Sequence, residues 1–422
     1  MKKIVLSLMI MVLTLTAFTA GIMLPKTYIY ETKSDDSIRW MEDTGSSLLL
    51  AGFSNSKDGN GSNDFLLMNV TYEGNILWQK YYGGSGDDRG YVVKKVSDGL
   101  IYGGAMLTRS YDDLTNNGGW DALLLKLNDT GDVQWKKNYG RHGSETIRDV
   151  IETTDNCYIF CGYTFSEDFE DHHGGKDFWV VKVDNKGDII WEKVMGGSNY
   201  DMPYSIVETK DGGYVVAGYS FSKNGDLAGM ENHGGGDFWI VKFDYFGNVV
   251  WSKLYGGSSW EEVRQLKETR DRGFILAGVG SSLDGDIEEG HGHWDAWLVK
   301  LDSTGNLQWE QAYGGSSYDK VFSVYELRDR GFIAAGMTKS DDGDVEEQNG
   351  NSDVWIIRTD RYGTLIWEDV IGGEESESAE YILRRNDGQF VVAWGEFEGS
   401  ESFAGDNGRR YKDFQITVFT AN

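Results

Sequence analysis

The chain is poor in the residues that staple or stiffen a fold. It has two cysteines and two prolines in 422 residues. Cys157 and Cys161 stand four apart in one predicted strand, roughly 13 Å at the strand rise, which is too far to bridge. Cys161 also takes the place that Ala217, Ala277 and Ala335 hold in sister repeats, so it reads as a small packing residue. No disulfide framework carries this fold. Positive charge is scarce as well: 40 lysines and arginines against 68 aspartates and glutamates leave a net charge of −28. Such a field repels nucleic acid and anionic lipid, and neither is expected as a partner. Catalytic signatures are missing too, with no G-x-S-x-G, no phosphate-binding loop and no H-E-x-x-H. The six histidines, His291-Gly-His293 included, have no cysteine or third histidine at metal spacing, so a zinc centre is not expected.

The long apolar run is N-terminal. Lys2-Lys3 precede Ile4–Phe18, and residues 1–24 read as a signal peptide or signal anchor. A cut near Ala17–Gly21 is expected, for example after Thr19. Left uncleaved, the run through Leu24 supplies about 20 residues, enough to span a bilayer. Either way the rest is exported, to the extracytoplasmic surface or beyond. No cysteine lies near the leader, so a lipid anchor is not indicated.

What the chain has in plenty is glycine, 56 residues, and aromatics, 14%. Both fall into register. A Trp-x-x-x-x-Gly-Gly pattern recurs at Trp78, Trp191, Trp251, Trp309 and Trp367, and Trp135 follows it with Gly140-Arg141 in place of the pair. Such a period is the mark of a repeat architecture. One unit, residues 204–254, reads as four short strands A to D. Asp211-Gly212-Gly213 makes a hairpin turn between A and B. A long polar loop then leads to strand C, DFWIVKF, and a turn at Gly247 leads to strand D with Trp251. Strand B recurs at Leu48–Phe53, Leu100–Ala105, Tyr158–Tyr163, Tyr214–Tyr219, Phe274–Val279, Phe332–Met337 and Phe390–Gly395. Strand C opens at Asp64, Asp121, Asp177, Asp237, Asp295, Asp353 and Asp413. The last unit lacks strand D, and Lys26–Glu31 (KTYIYE) supplies it from the other terminus. The reading is all-β: residues 25–422 form a single domain, a seven-bladed β-propeller of four-stranded blades, its ring closed by an N-terminal strand in the last blade. A monomer is expected.

The segments LDSTGNLQW (301–309) and LNDTGDVQW (127–135) resemble the docking motif of quinoprotein-type propellers. The unit DGGYVVAGYS…DFWIVKFDYFGNVVWSKLYGG is similar to a repeat of secreted and cell-surface propellers in bacteria and archaea. The resemblance covers roughly residues 26–422 and implies the fold. Relatives are sometimes labelled endoglucanase, but no catalytic motif comes with that label here. The quinoprotein likeness also implies strands ordered A to D from axis to rim. The D-to-A links and the long B-to-C loops then share one face.

Candidate sites lie on that face. The Asp that opens strand C occurs in every unit and reads as a loop cap. Asp284, Asp286, Asp342 and Asp344, in two Asp-Gly-Asp loops, offer hard oxygens and are the candidate calcium ligands. An acid recurs in the D-to-A links, at Asp88, Glu145, Asp201, Glu261, Asp319 and Glu377, and is expected to ring the channel mouth. Three of these follow an aromatic residue: Tyr200-Asp201, Trp260-Glu261 and Tyr318-Asp319. Aromatic faces beside carboxylates suit sugars, so these six residues are the candidate ligand site. The expected function is an exported binding scaffold whose partner is a glycan or a surface protein. A glycosidase using long-loop carboxylates and a purely structural surface protein are the alternatives. No catalytic residue can be placed from sequence.

Overall fold

The computed structural model describes residues 22–55, 59–397 and 411–421. The leader expected over residues 1–24 lies outside this range up to residue 21, as do residues 56–58 of the first long loop. The propeller begins earlier than expected, because its first strand runs Ile22–Asp43.

Seven four-stranded antiparallel blades form the ring. Five are separate sheets, and the other two share the first strand. Residues 22–36 of that strand pair with Tyr411–Ala421, completing blade 7 from Ile22↔Ala421 to Asp36↔Tyr411. Its second half, Asp36–Asp43, pairs with Leu48–Ser54 as strand A of blade 1. The expected N-terminal closure is therefore present, as one continuous strand. Blade 4 typifies the rest, with A at Asp201–Glu208, B at Tyr214–Ser220, C at Asp237–Phe243 and D at Val249–Tyr255. Strands B and C are buried on both faces, so they read as near-continuous apolar runs. Neighbouring A strands touch one another, which puts them at the axis and the D strands at the rim.

The docking tryptophans bind each blade to the next. A Cβ on the turn glycine Gly305 of blade 5 would come within 2.9 Å of the Trp251 ring of blade 4. That glycine has φ +81°, a region other residues avoid. At the closure, Tyr28 takes the tryptophan's place, since a Cβ on Gly74 would lie 2.7 Å from it.

Candidate binding funnel

The repeated acids do not ring the channel mouth. Asp201, Glu261 and Asp319 open their A strands and are fully buried. Each carboxylate accepts the amide N–H of the second glycine in the preceding pair, from Gly197 at 2.7 Å, Gly257 at 2.8 Å and Gly315 at 2.8 Å. Hydroxyls beyond strand B donate to the same groups, from Ser222 at 2.9 Å, Ser282 at 2.6 Å and Ser340 at 2.7 Å. Asp88 and Glu145 repeat the arrangement with the amides of Gly84 and Arg141. The physical reason is strand alternation: in an extended chain, consecutive side chains point to opposite sides. The aromatic ahead of each acid faces the axis, so the acid faces the seam between blades.

There it meets the strand C aspartate. Asp237 Oδ2 accepts the His233 amide at 2.9 Å, and Asp295 Oδ2 accepts that of His291 at 2.7 Å, the loop-capping role expected of them. The first glycine of each pair lies between the two carboxyls. A Cβ on Gly256 would stand 2.6 Å from Asp237 Oδ1 and 2.7 Å from Glu261 Oε2. The first glycine of the signature is thus a seam requirement. In the exceptional copy it is the first glycine that remains, Gly140 against Asp121. Arg141 replaces the second and reaches Glu192 at 2.7 Å. Burial, reinforced by Asp177, pushes Asp201 up to about 7, although Ser220, Gly197 and Ser222 donate to it. Burial likewise takes Asp295 up to about 6.

The four candidate calcium ligands also have backbone partners. Asp284 and Asp342 accept the amides of Ser258 and Ser316, both at 2.7 Å. Asp286 and Asp344 accept those of Gly256 at 3.0 Å and Gly314 at 3.1 Å. They tie the long loop to the glycine pair of the preceding blade. Among the described residues, no three or more His, Cys, Asp or Glu gather as a metal site.

What faces the axis is a different set. Counting from the seam acid as zero, the residues one before, one after and three after it line a funnel on the long-loop face. The third position sits at a β-bulge where strand A slips against strand B, for instance between Pro203 and Ser205. An unpaired bulge residue is free to be re-aimed. Around the ring this position holds Arg39, Tyr91, Arg148, Tyr204, Arg264, Phe322 and Glu380, so cations and aromatics alternate over six of the blades. Their contacts follow the order. Arg148 lies 4.6 Å from the Tyr91 ring and 5.5 Å from that of Tyr204. Arg264 lies 4.8 Å from Tyr204 and 5.6 Å from Phe322. In blades 3 to 6 the residue after this third position, Asp149, Ser205, Gln265 or Ser323, is buried and polar, and these four form a floor. Ser205 donates to Asp149 of the preceding blade at 3.3 Å, and Ser323 to Gln265 at 3.1 Å.

The three expected aromatics stand on the funnel wall but not as one arc. Tyr200 is 51% exposed, with the Lys176 ammonium 5.7 Å from its ring. It borders a cleft of about 410 Å³ shared with Arg89, Tyr91, Trp120, Tyr163 and Lys176. Trp260 is half-buried between Phe221 at 5.9 Å and Trp294 at 5.0 Å. Tyr318 is stacked against His293 at 5.3 Å and 7°. Their charged companions are cations: Lys320 lies 4.8 Å from the Trp294 ring and Lys339 5.8 Å from that of Tyr318. Two funnel-facing acids, Asp87 and Glu262, are held by Arg89 at 2.7 Å and Arg264 at 2.8 Å. Burial, helped by Arg148, lowers Lys176 to about 8. Sequence reasoning missed the alternating ring, whose signal was the third residue after each repeated acid.

No family model and no curated protein matches this sequence. Among solved structures, the chain is similar to YCF48 bound to a D1 peptide, at 8% identity and TM-score 0.48, over 96% of this chain and 97% of that one. It is similar to Sqt1 from Chaetomium thermophilum at 10% identity and TM-score 0.47, over 92% and 97%. The WD40 domain of Neurospora crassa Pan2 aligns at 11% identity and TM-score 0.41, over 78% and 88%. At these identities and scores the likeness extends to the fold alone.

Proposed function

We propose that this chain is an exported β-propeller that binds a glycan across the mouth of its central funnel. The observation that carries the reading is the set of aromatic faces turned toward the axis on a rigid, floored ring. Tyr200 and Phe165 are 51% and 45% exposed, and Trp120, Trp260 and Trp294 are half-buried around the same opening. Large apolar rings half-open to water invite the apolar faces of sugar rings, while neighbouring hydroxyls and charges fix orientation. Ser144 and Thr146 bring hydroxyls to the cleft at Tyr200. Export is supported by the charged start and apolar run of residues 2–18. A glycosidase reading has less support, because Asp87 and Glu262 on the funnel wall are each engaged by an arginine and the seam acids are buried.

A glycan array probed with wild type, Tyr200→Ala and Trp260→Ala tests the reading. A stacked anchor commonly loses more than about 1 kcal/mol on truncation, so Tyr200→Ala is expected to bind roughly fivefold or more weakly. An array silent with wild type, or identical binding by all three proteins, would overturn it in favour of a protein partner.

A further inference from the structure

Building on the glycan reading, we propose that the ligand is acidic: a carboxylated sugar unit lies in the cleft beside Tyr200, its carboxylate held by Arg89 and Lys176. The first ground is charge. In a chain of net charge −28, the described funnel wall gathers Arg39, Arg89, Arg148, Lys176, Arg264 and Lys320 against Asp87, Glu262 and Glu380. Like charges drawn together in a concave, partly desolvated site repel one another and raise the energy of the empty ring. An entering anion relieves that repulsion, and a concave wall focuses the field on it. The acidic outer surface would repel the same anion, so the funnel becomes the place of lowest energy for it.

The second ground is shape. The cleft of about 410 Å³ suits one or two units of a polymer rather than a folded partner. Trp120, Tyr163 and Tyr200 form its aromatic walls, and Lys176 lies 4.2 Å from the Tyr163 ring and 5.7 Å from that of Tyr200. An ammonium between these rings is placed to meet a carboxylate on a sugar stacked against the exposed Tyr200. Arg148, 5.6 Å from the Tyr163 ring, adds charge beneath it. Bonds between an ionised acceptor and such donors are about twice as strong as neutral ones.

An acidic peptide is the rival class, and the inner strands speak against it. Peptides commonly dock by adding a strand to a straight sheet edge. Here strand A is bulged at the funnel in blades 1, 2, 4, 5, 6 and 7, and a bulge breaks that ladder.

Calorimetric titration of the full chain with tri-galacturonate, its methyl ester and hexaglutamate tests the proposal. Binding of tri-galacturonate is expected, at least tenfold weaker for the ester, for Lys176→Gln and for Arg89→Gln, and weaker in high salt. Melting curves matching wild type certify that each variant folds; because Arg89 is also paired with Asp87, Lys176→Gln is the deciding one. Equal binding of ester and acid, or no effect of Lys176→Gln, would overturn the acidic site while leaving glycan binding standing. Binding of hexaglutamate alone would overturn both. If tri-galacturonate, tri-mannuronate and tri-glucuronate all fail to bind, the acidic site falls, and the glycan reading then rests on neutral sugars in the array.

Discussion

At the start of strand A, the seam position holds Asp88, Glu145, Asp201, Glu261, Asp319 and Glu377. One residue further along, the funnel position holds Arg89, Thr146, Met202, Glu262, Lys320 and Ser378. The same strand thus carries a nearly constant residue on one side and a freely varying one on the other. The constant side is fixed by its surroundings, because a buried carboxylate must find donors and the turn amides of the glycine pair supply them. The varying side has no partner common to all blades: Arg89 pairs with Asp87 and Glu262 with Arg264, while Thr146, Met202, Lys320 and Ser378 are buried among different neighbours. Repetition therefore marks what builds the ring, and variation marks the wall on which the proposed ligand would be met.

The comparison predicts that seam changes cost stability and funnel changes do not. The largest effect should come at the closure. Removing residues 25–33 strips strand D from blade 7 and Tyr28 from Gly74, and is expected to cost several kcal/mol or to cause aggregation. A shortened chain that melts like its parent would refute the closure. Next comes Gly256→Ala, which drives a methyl into two buried carboxyls and should cost about 3 kcal/mol. Gly373→Ala is its control. At Gly373 the nearest atom to a new Cβ would be 3.9 Å away, so denaturant midpoints should barely move. Third, Trp251→Ala should cost about 2 kcal/mol because its ring is half-buried against blade 5, whereas the exposed Tyr200→Ala should stay within about 0.5 kcal/mol. Equal losses at both would erase the distinction between seam and funnel.

The smallest effect concerns pH. Asp201 is raised to about 7 in the folded state by burial. The fold therefore holds a proton that the unfolded chain has released, and stability falls as pH rises through that value. Between pH 6 and pH 8 this one group should account for about 1 kcal/mol, greater stability being at the acid end. Thermal melts of Asp201→Asn should show a shallower slope over the same interval. An unchanged slope would mean that Asp201 is ionised and satisfied in its seam.

Blade number, strand order, the docking tryptophans and the N-terminal closure were legible because each recurs with the period of a blade. The candidate site was half legible. Tyr200, Trp260 and Tyr318 were found as departures from the repeat, and all three do face the funnel. Their neighbours Asp201, Glu261 and Asp319 were paired with them because they are adjacent in sequence, although adjacency in a strand means opposite sides. The alternating ring escaped because its members lie in seven separate blades. It can be read only once the bulge position is known, and a bulge leaves no composition mark when residues as unlike as Arg39, Tyr204 and Glu380 occupy it.

The strand shared by blades 7 and 1 also sets an order of events. Ile22 finds its partner in Ala421, nearly the whole chain away. A ribosome makes the first of these long before the second, so blades 2 to 6 can assemble while blade 7 waits for Tyr411–Ala421. Pairing over such a separation is slow, and open sheet edges are hazardous while it is pending. The ring therefore acts as a completeness check: a chain interrupted before Tyr411 keeps two raw edges and stays recognisable as unfinished.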